Sequence, residues 1–133
     1  GDDECIPTGE SAPVNGTRFD LRTPGWIGDT GFAHNFCLGG AQAPLRQVAS
    51  VRSPKSGIGM QVATTEPGLQ FYTGHKLGPP VNGLTKQLYG PFSGLCLEPQ
   101  VWPDAPNNPH FPDALLQPGA SYHQQTTFAF YRG

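Results

Sequence analysis

Basic residues are scarce and scattered in this sequence. Eight lysines and arginines occur among 133 residues, no two of them adjacent, against ten acidic residues, for a net charge of −2. Binding nucleic acid requires a concentrated cationic face, so no nucleic-acid partner is expected. Long apolar runs are also missing, since none approaches the ~20 residues needed to cross a bilayer. The opening residues lack the pattern of a signal peptide, and no membrane association is expected. Cysteine is limited to Cys5, Cys37 and Cys96. They are odd in number, far apart, and without the short paired spacing of a zinc site or a redox motif, so reduced thiols in a cytoplasmic protein are the simplest expectation. The histidines, His34, His75, His110 and His123, include no pair at the spacing that sets two ligands on one face, and no metal is expected. Neither a glycine-rich phosphate loop nor a Gly-x-Ser-x-Gly elbow is present, which removes support for phosphoryl transfer and for serine-triad hydrolysis.

What the chain does have is punctuation. Gly 18 and Pro 15 make up a quarter of it, hydrophobic residues only 36% and aromatics 11%, so one turn-rich domain with a thin core is expected. No window holds helical spacing for long, and proline interrupts most candidates. Strand-like segments occur at 17–21, 31–38, 45–51, 59–65, 69–73, 94–98 and 121–131, separated by Gly, Pro, Asn and Ser clusters, which reads as an all-β sandwich. Asn15-Gly16-Thr17 matches a glycosylation sequon but is read as a turn. The stretches 74–91 and 99–119 are too long to be ordinary connections in a compact domain.

Alternation tells which side chains travel together. In Gly68–Tyr72, Leu69 and Phe71 share one face, Gln70 and Tyr72 the other. In Gly94–Glu98, Leu95 and Leu97 face the core, with Glu98 opposite beside Cys96. These leucines and Phe71, with Phe128 and Phe130, are expected to be buried. Glu98 ends an apolar strand, and its nearest charged neighbours in sequence are Lys86 and Asp104. It reads either as an exposed strand-end carboxylate or as a partly buried general base. His34, among phenylalanines, reads as a hydrogen-bonded core histidine. Trp26, Trp102 and Tyr72 could stack on sugar faces, though core packing is the plainer role for each.

Longer strings carry more specific information. TTEPGLQFYTG (Thr64–Gly74) and SGLCLEPQVWPDAPNNPHFPDALLQPGASY (Ser93–Tyr122), preceded in order by CIPTGESAPVNGTRFDLRTP and GFAHNFCL, closely resemble the aldose 1-epimerase (galactose mutarotase) family. The resemblance implies that residues 1–133 are the C-terminal part of a large mutarotase-like β-sandwich (a supersandwich) with little or no helix. The N-terminal portion would come from a complementary polypeptide. It further implies an aldose substrate and interconversion of the α and β anomers of glucose or galactose by acid–base ring opening, with no cofactor and no metal.

By the same resemblance Glu98 is the catalytic general base, matching the glutamate of the family string GFCLETQ, with Pro99 where threonine is usual. Gln70 matches a substrate-contacting glutamine, and Tyr72 is a further candidate for substrate binding. Ala33 stands where the family string GFDHNF carries an aspartate that holds sugar hydroxyls, and His75 where FYTGN has asparagine. The family's acid histidine has no counterpart here. An inactive carbohydrate-binding or structural subunit of a larger assembly is therefore the alternative.

Overall fold

The structure is a computed structural model that describes residues 7–133, so Cys5 lies outside the described residues. The strands are β1 (Ala33–Cys37), β2 (Arg46–Arg52), β3 (Ile58–Thr64), β4 (Gly68–Tyr72), β5 (Val81–Asn82), β6 (Leu88–Tyr89), β7 (Cys96–Gln100) and β8 (Thr126–Arg132). The helical content described is one 3-10 turn, Ala105–Asn107. None of the described helices is long and apolar enough to cross a membrane. The chain is thus all-β, as its glycine, proline and alternating patterns require.

The strands form three sheets: β1-β4-β7, β2-β3-β8 and the β5-β6 pair. Strand β3 pairs antiparallel with β2 and with β8, and a register shift between Gln47 and Ala49 bulges β2. Two compact units emerge. One contains the chain up to Ala33 together with Tyr72–Cys96, and the other His34–Phe71 with Leu97–Gly133.

In the first unit, buried Phe32 packs edge-on against Phe19 at 6.0 Å, and the Arg18 guanidinium lies 4.3 Å from the Phe19 ring centroid. The segment 17–21, expected as a strand, consists of turns instead. Thr17 Oγ1 donates to the Val14 carbonyl at 2.7 Å and accepts from the Phe19 amide at 3.1 Å, so a local side chain takes up groups that a ladder would need. The Asn15-Gly16 turn closes through the Thr17 amide on the Val14 carbonyl at 3.0 Å. The stretch 74–91 contains the β5-β6 hairpin.

In the second unit Val62, Leu69 and Phe71 are buried. Leu97, and Leu95 in the first unit, are only half-buried. Phe128 and Phe130, expected in the core, are 47% and 69% exposed. They lie on β8, the edge strand of its sheet, where apolar neighbours exist on one side only. Strand β7 begins two residues later than expected and runs through Pro99. An edge strand can carry proline because its outward amide needs no ladder partner. Segment 121–125 is not strand. Its backbone bonds elsewhere, the Gln125 carbonyl accepting from the Thr65 amide at 3.0 Å.

Candidate functional site

Strands β4 and β7 are direct neighbours, which brings the two residues of greatest chemical interest into one sheet. On β4, Leu69 and Phe71 are buried while Gln70 and Tyr72 are half-buried, so pleating presents the amide and the phenol on the more open face. On β7, Leu97 is half-buried and Glu98 exposed. Glu98 is therefore an exposed carboxylate rather than a partly buried one, and among the described residues no salt bridge holds it. A carboxylate accepts hydrogen bonds, and the Gln70 amide on the adjacent strand can both donate and accept.

Close approach fixes the start of β4. A Cβ on Gly68 would sit 2.8 Å from Asn35 Oδ1, 2.9 Å from Trp102 Cδ1 and 3.0 Å from the Gln100 carbonyl. Only glycine admits side chains and backbone from β1 and β7 at that distance. Trp102 is half-buried, donates from Nε1 to the Pro67 carbonyl at 2.9 Å and packs edge-on against Phe111 at 5.0 Å. It has a structural role, as expected. Trp26, by contrast, is 84% exposed and does not pack in a core. His34 is also exposed, because β1 is an edge strand, which overturns its reading as a core histidine. Ala33, beside it, is exposed as well.

Beyond the end of β4, Tyr72 accepts from the Lys76 amide at 3.2 Å, and its ring centroid lies 5.6 Å from that of His75. Buried Thr73 accepts from the Phe32 amide at 3.0 Å and donates its only hydroxyl proton to the Thr30 carbonyl at 3.1 Å. His75 Nδ1 lies 3.4 Å from the same hydroxyl, within hydrogen-bond reach, with the direction set by the imidazole tautomer. Cys37 and Cys96 are both exposed, and among the described residues no group of three His, Cys, Asp or Glu side chains is placed to hold a metal.

The sequence reading missed Glu66. It is wholly buried, and its Oε1 accepts from Gln42 Nε2 at 2.6 Å and from the Tyr122 hydroxyl at 2.9 Å. Among the described residues Oε2 has no partner. Arg46 donates to the carbonyls of Thr64 and Glu66 at 2.9 and 3.0 Å, while the Leu38 amide reaches the Pro67 carbonyl at 2.8 Å. The turn that launches β4 toward Gln70 is thus tied to residues of two distant segments, 38–46 and the one around Tyr122. Desolvation foremost, then the bond to Glu66, raises the Tyr122 phenol above its ordinary value. A signal for Glu66 was present, since its nearest charged neighbours in sequence, Lys55 and Lys76, are as remote as those of Glu98.

Comparison with known proteins settles the ancestry. The sequence model of the aldose 1-epimerase family matches residues 1–129. The chain belongs to the aldose 1-epimerase family. Among curated members of that family it is 47% identical to the galactose mutarotase of Sus scrofa over 97% of this chain and 40% of the relative. It is also 34% identical to the aldose 1-epimerase of Escherichia coli over 97% of this chain and 41% of the relative. A crystal structure of a GalM/aldose epimerase homologue from C. elegans superposes with a TM-score of 0.86 at 29% identity, over 98% of this chain and 42% of that one. The chain spans about 40% of the length of the curated epimerases it matches.

Proposed function

We propose that this chain, as part of a complete epimerase fold, interconverts the α and β anomers of an aldohexose such as glucose or galactose. Glu98 removes the proton of the anomeric hydroxyl. The C1–O5 ring bond then breaks, O5 takes a proton from an acid in the complementary portion, and the C1 carbonyl forms. Rotation and reclosure on the other carbonyl face return both protons, so the reaction requires one base and one acid. Gln70 orients the sugar hydroxyls, with Tyr72 beside it on the strand. Exposed Cys37 and Cys96 thiols suit a reducing, cytoplasmic setting.

The observation that carries this reading is the pairing of family membership with Gln70 and Glu98 on the open faces of adjacent strands. An antiparallel ladder with Gly68 near Gln100 would also bring Gln70 opposite Glu98, because paired positions keep a constant sum. The test is optical rotation of freshly dissolved α-glucose and α-galactose with the assembled protein. Glu98→Gln keeps the shape and removes the base, so the rate should fall by ~10²–10⁴ with affinity changed far less. Equal rates for the two proteins would refute Glu98 as the base. Gln70→Ala should mainly weaken binding.

Ala33 supports a second reading, a sugar-binding or structural subunit without turnover. On that reading the wild-type assembly leaves mutarotation at the uncatalysed rate, Glu98→Gln leaves assembly intact, and Ala33→Asp increases sugar affinity.

A further inference from the structure

We infer that Asn35 is a positioning residue for the sugar site: when a sugar binds, Asn35 Oδ1 accepts from Gln70 Nε2 and thereby aims Gln70 Oε1 at a sugar hydroxyl. This inference rests on the reading that Gln70 and Glu98 face a sugar. The ladders set the neighbours. The Leu38 amide reaches the Pro67 carbonyl at 2.8 Å and the Thr73 amide the Phe32 carbonyl at 3.0 Å, two bonds of one antiparallel register between β1 and β4. That register sets Asn35 directly opposite Gln70, at a position where the two backbones exchange no hydrogen bond and side chains lie closest. On the other side of β4, the close approaches of Gly68 to the Gln100 carbonyl and of Gly74 to the Gly94 carbonyl share one offset, which sets Gln70 opposite Glu98. Asn35, Gln70 and Glu98 therefore form a row across β1, β4 and β7, on one face of the sheet.

Side-chain geometry agrees. Gly68 and Gln70, two residues apart on β4, point to the same face. There Asn35 Oδ1 lies 2.8 Å from the position a Gly68 Cβ would take, in the space that glycine leaves beside Gln70. Among the described residues this buried oxygen has no hydrogen-bond partner. The other end of the amide, Nδ2, has the Cys37 sulfur, a weak acceptor, at 4.0 Å. A buried acceptor is costly to leave unpaired, and a donor that comes within reach on ligand binding relieves that cost. The half-buried Gln70 amide, on the facing position, carries two N–H donors. Once Nε2 is held on the β1 side, the planar amide directs Oε1 away from β1, toward the side of Glu98, as an acceptor. The site then selects ligands that offer a hydroxyl donor there, as an aldose does.

The experiment uses the complete epimerase fold with galactose as the probe. Calorimetry gives affinity, optical rotation gives kcat and KM, and NMR follows the Gln70 side-chain amide. The variants are Asn35→Ala, which removes the acceptor, Asn35→Asp, which keeps one, Gln70→Ala, and the double variant Asn35→Ala/Gln70→Ala. Asn35→Ala should bind galactose about three- to tenfold more weakly, the worth of one neutral hydrogen bond, with KM raised by the same factor and kcat within about twofold. Asn35→Asp should recover most of that loss. In the Gln70→Ala background, removing Asn35 should change affinity by less than about twofold, because the amide it positions is gone. Galactose should shift a Gln70 Nε2 proton downfield in wild type and not in Asn35→Ala. Retained protection of the Leu38 amide against hydrogen exchange shows that the variants are folded. Unchanged affinity in Asn35→Ala, an equal loss in the Gln70→Ala background, or no recovery by Asn35→Asp overturns the inference. Galactose binding with this coupling but no catalysed change in rotation overturns the enzymatic reading alone. A wild type that does not bind galactose overturns both.

Discussion

Replacing Glu66 with alanine removes the one oxygen on which two segments far apart in sequence converge. Oε1 accepts from Gln42 Nε2 at 2.6 Å and from the Tyr122 hydroxyl at 2.9 Å. Losing both bonds costs about 1–3 kcal/mol in total, at ~0.5–1.5 kcal/mol each. Vacating a wholly buried site adds roughly 1–2 kcal/mol of lost packing. Relief of the unpartnered Oε2 offsets about 1 kcal/mol. The balance is a destabilisation of about 1–4 kcal/mol, centred on the turn before β4.

Native-state hydrogen exchange reads this locally. The Leu38 amide, bonded to the Pro67 carbonyl at 2.8 Å, and the Thr65 amide, bonded to the Gln125 carbonyl at 3.0 Å, report opening of the hub. They should exchange roughly 5- to 700-fold faster in Glu66→Ala, a tenfold change per ~1.4 kcal/mol. The Ser53 amide, bonded to the Ile58 carbonyl at 2.9 Å at the far end of the β2-β3 hairpin, should change much less. Glu66→Gln keeps an acceptor at Oε1 and should fall well short of the alanine effect. Acceleration under about threefold at Leu38 and Thr65 would refute the reasoning, because it corresponds to less than ~1 kcal/mol. Equal effects of alanine and glutamine would show that the Oε1 acceptor is not the cause.

Three further outcomes follow from single sites. Gly74 has φ +67°, and a Cβ there would lie 2.7 Å from the Gly94 carbonyl oxygen, so Gly74→Ala should cost more than ~1 kcal/mol, whereas Gly94→Ala, with nothing within 4 Å of its Cβ, should cost little; equal thermal midpoints would contradict this. Tyr122 is raised above 10.0 by desolvation first and Glu66 second, so its contribution is present below that pH and lost as pH rises through the folded value. Tyr122→Phe should flatten the alkaline loss of stability in a denaturation series, and an unchanged slope would count against the contact. Trp102→Phe removes the Nε1 bond to the Pro67 carbonyl, which retains the Leu38 amide, and should cost about 1 kcal/mol in urea unfolding.

The residues themselves determined that this chain is all-β, because glycine, proline and two-residue alternation leave helices no room. The long strings around Gln70 and Glu98 identified the family, and alternation assigned both side chains to polar faces from local chirality alone. Which strand lies beside which was beyond local patterning, since neither β4 next to β7 nor β8 at an edge is encoded within the segments concerned. Phe128 and Phe130 illustrate the consequence. Their alternation marked an apolar face correctly, but burial depends on what lies against that face, and at the sheet edge the ladder supplies a neighbour on one side only. His34 was misplaced for the same reason, on an edge strand. Glu66 shows the reverse case: its isolation from other charges was visible in sequence, yet its buried role exists only because Gln42 and Tyr122 converge on one oxygen in the fold.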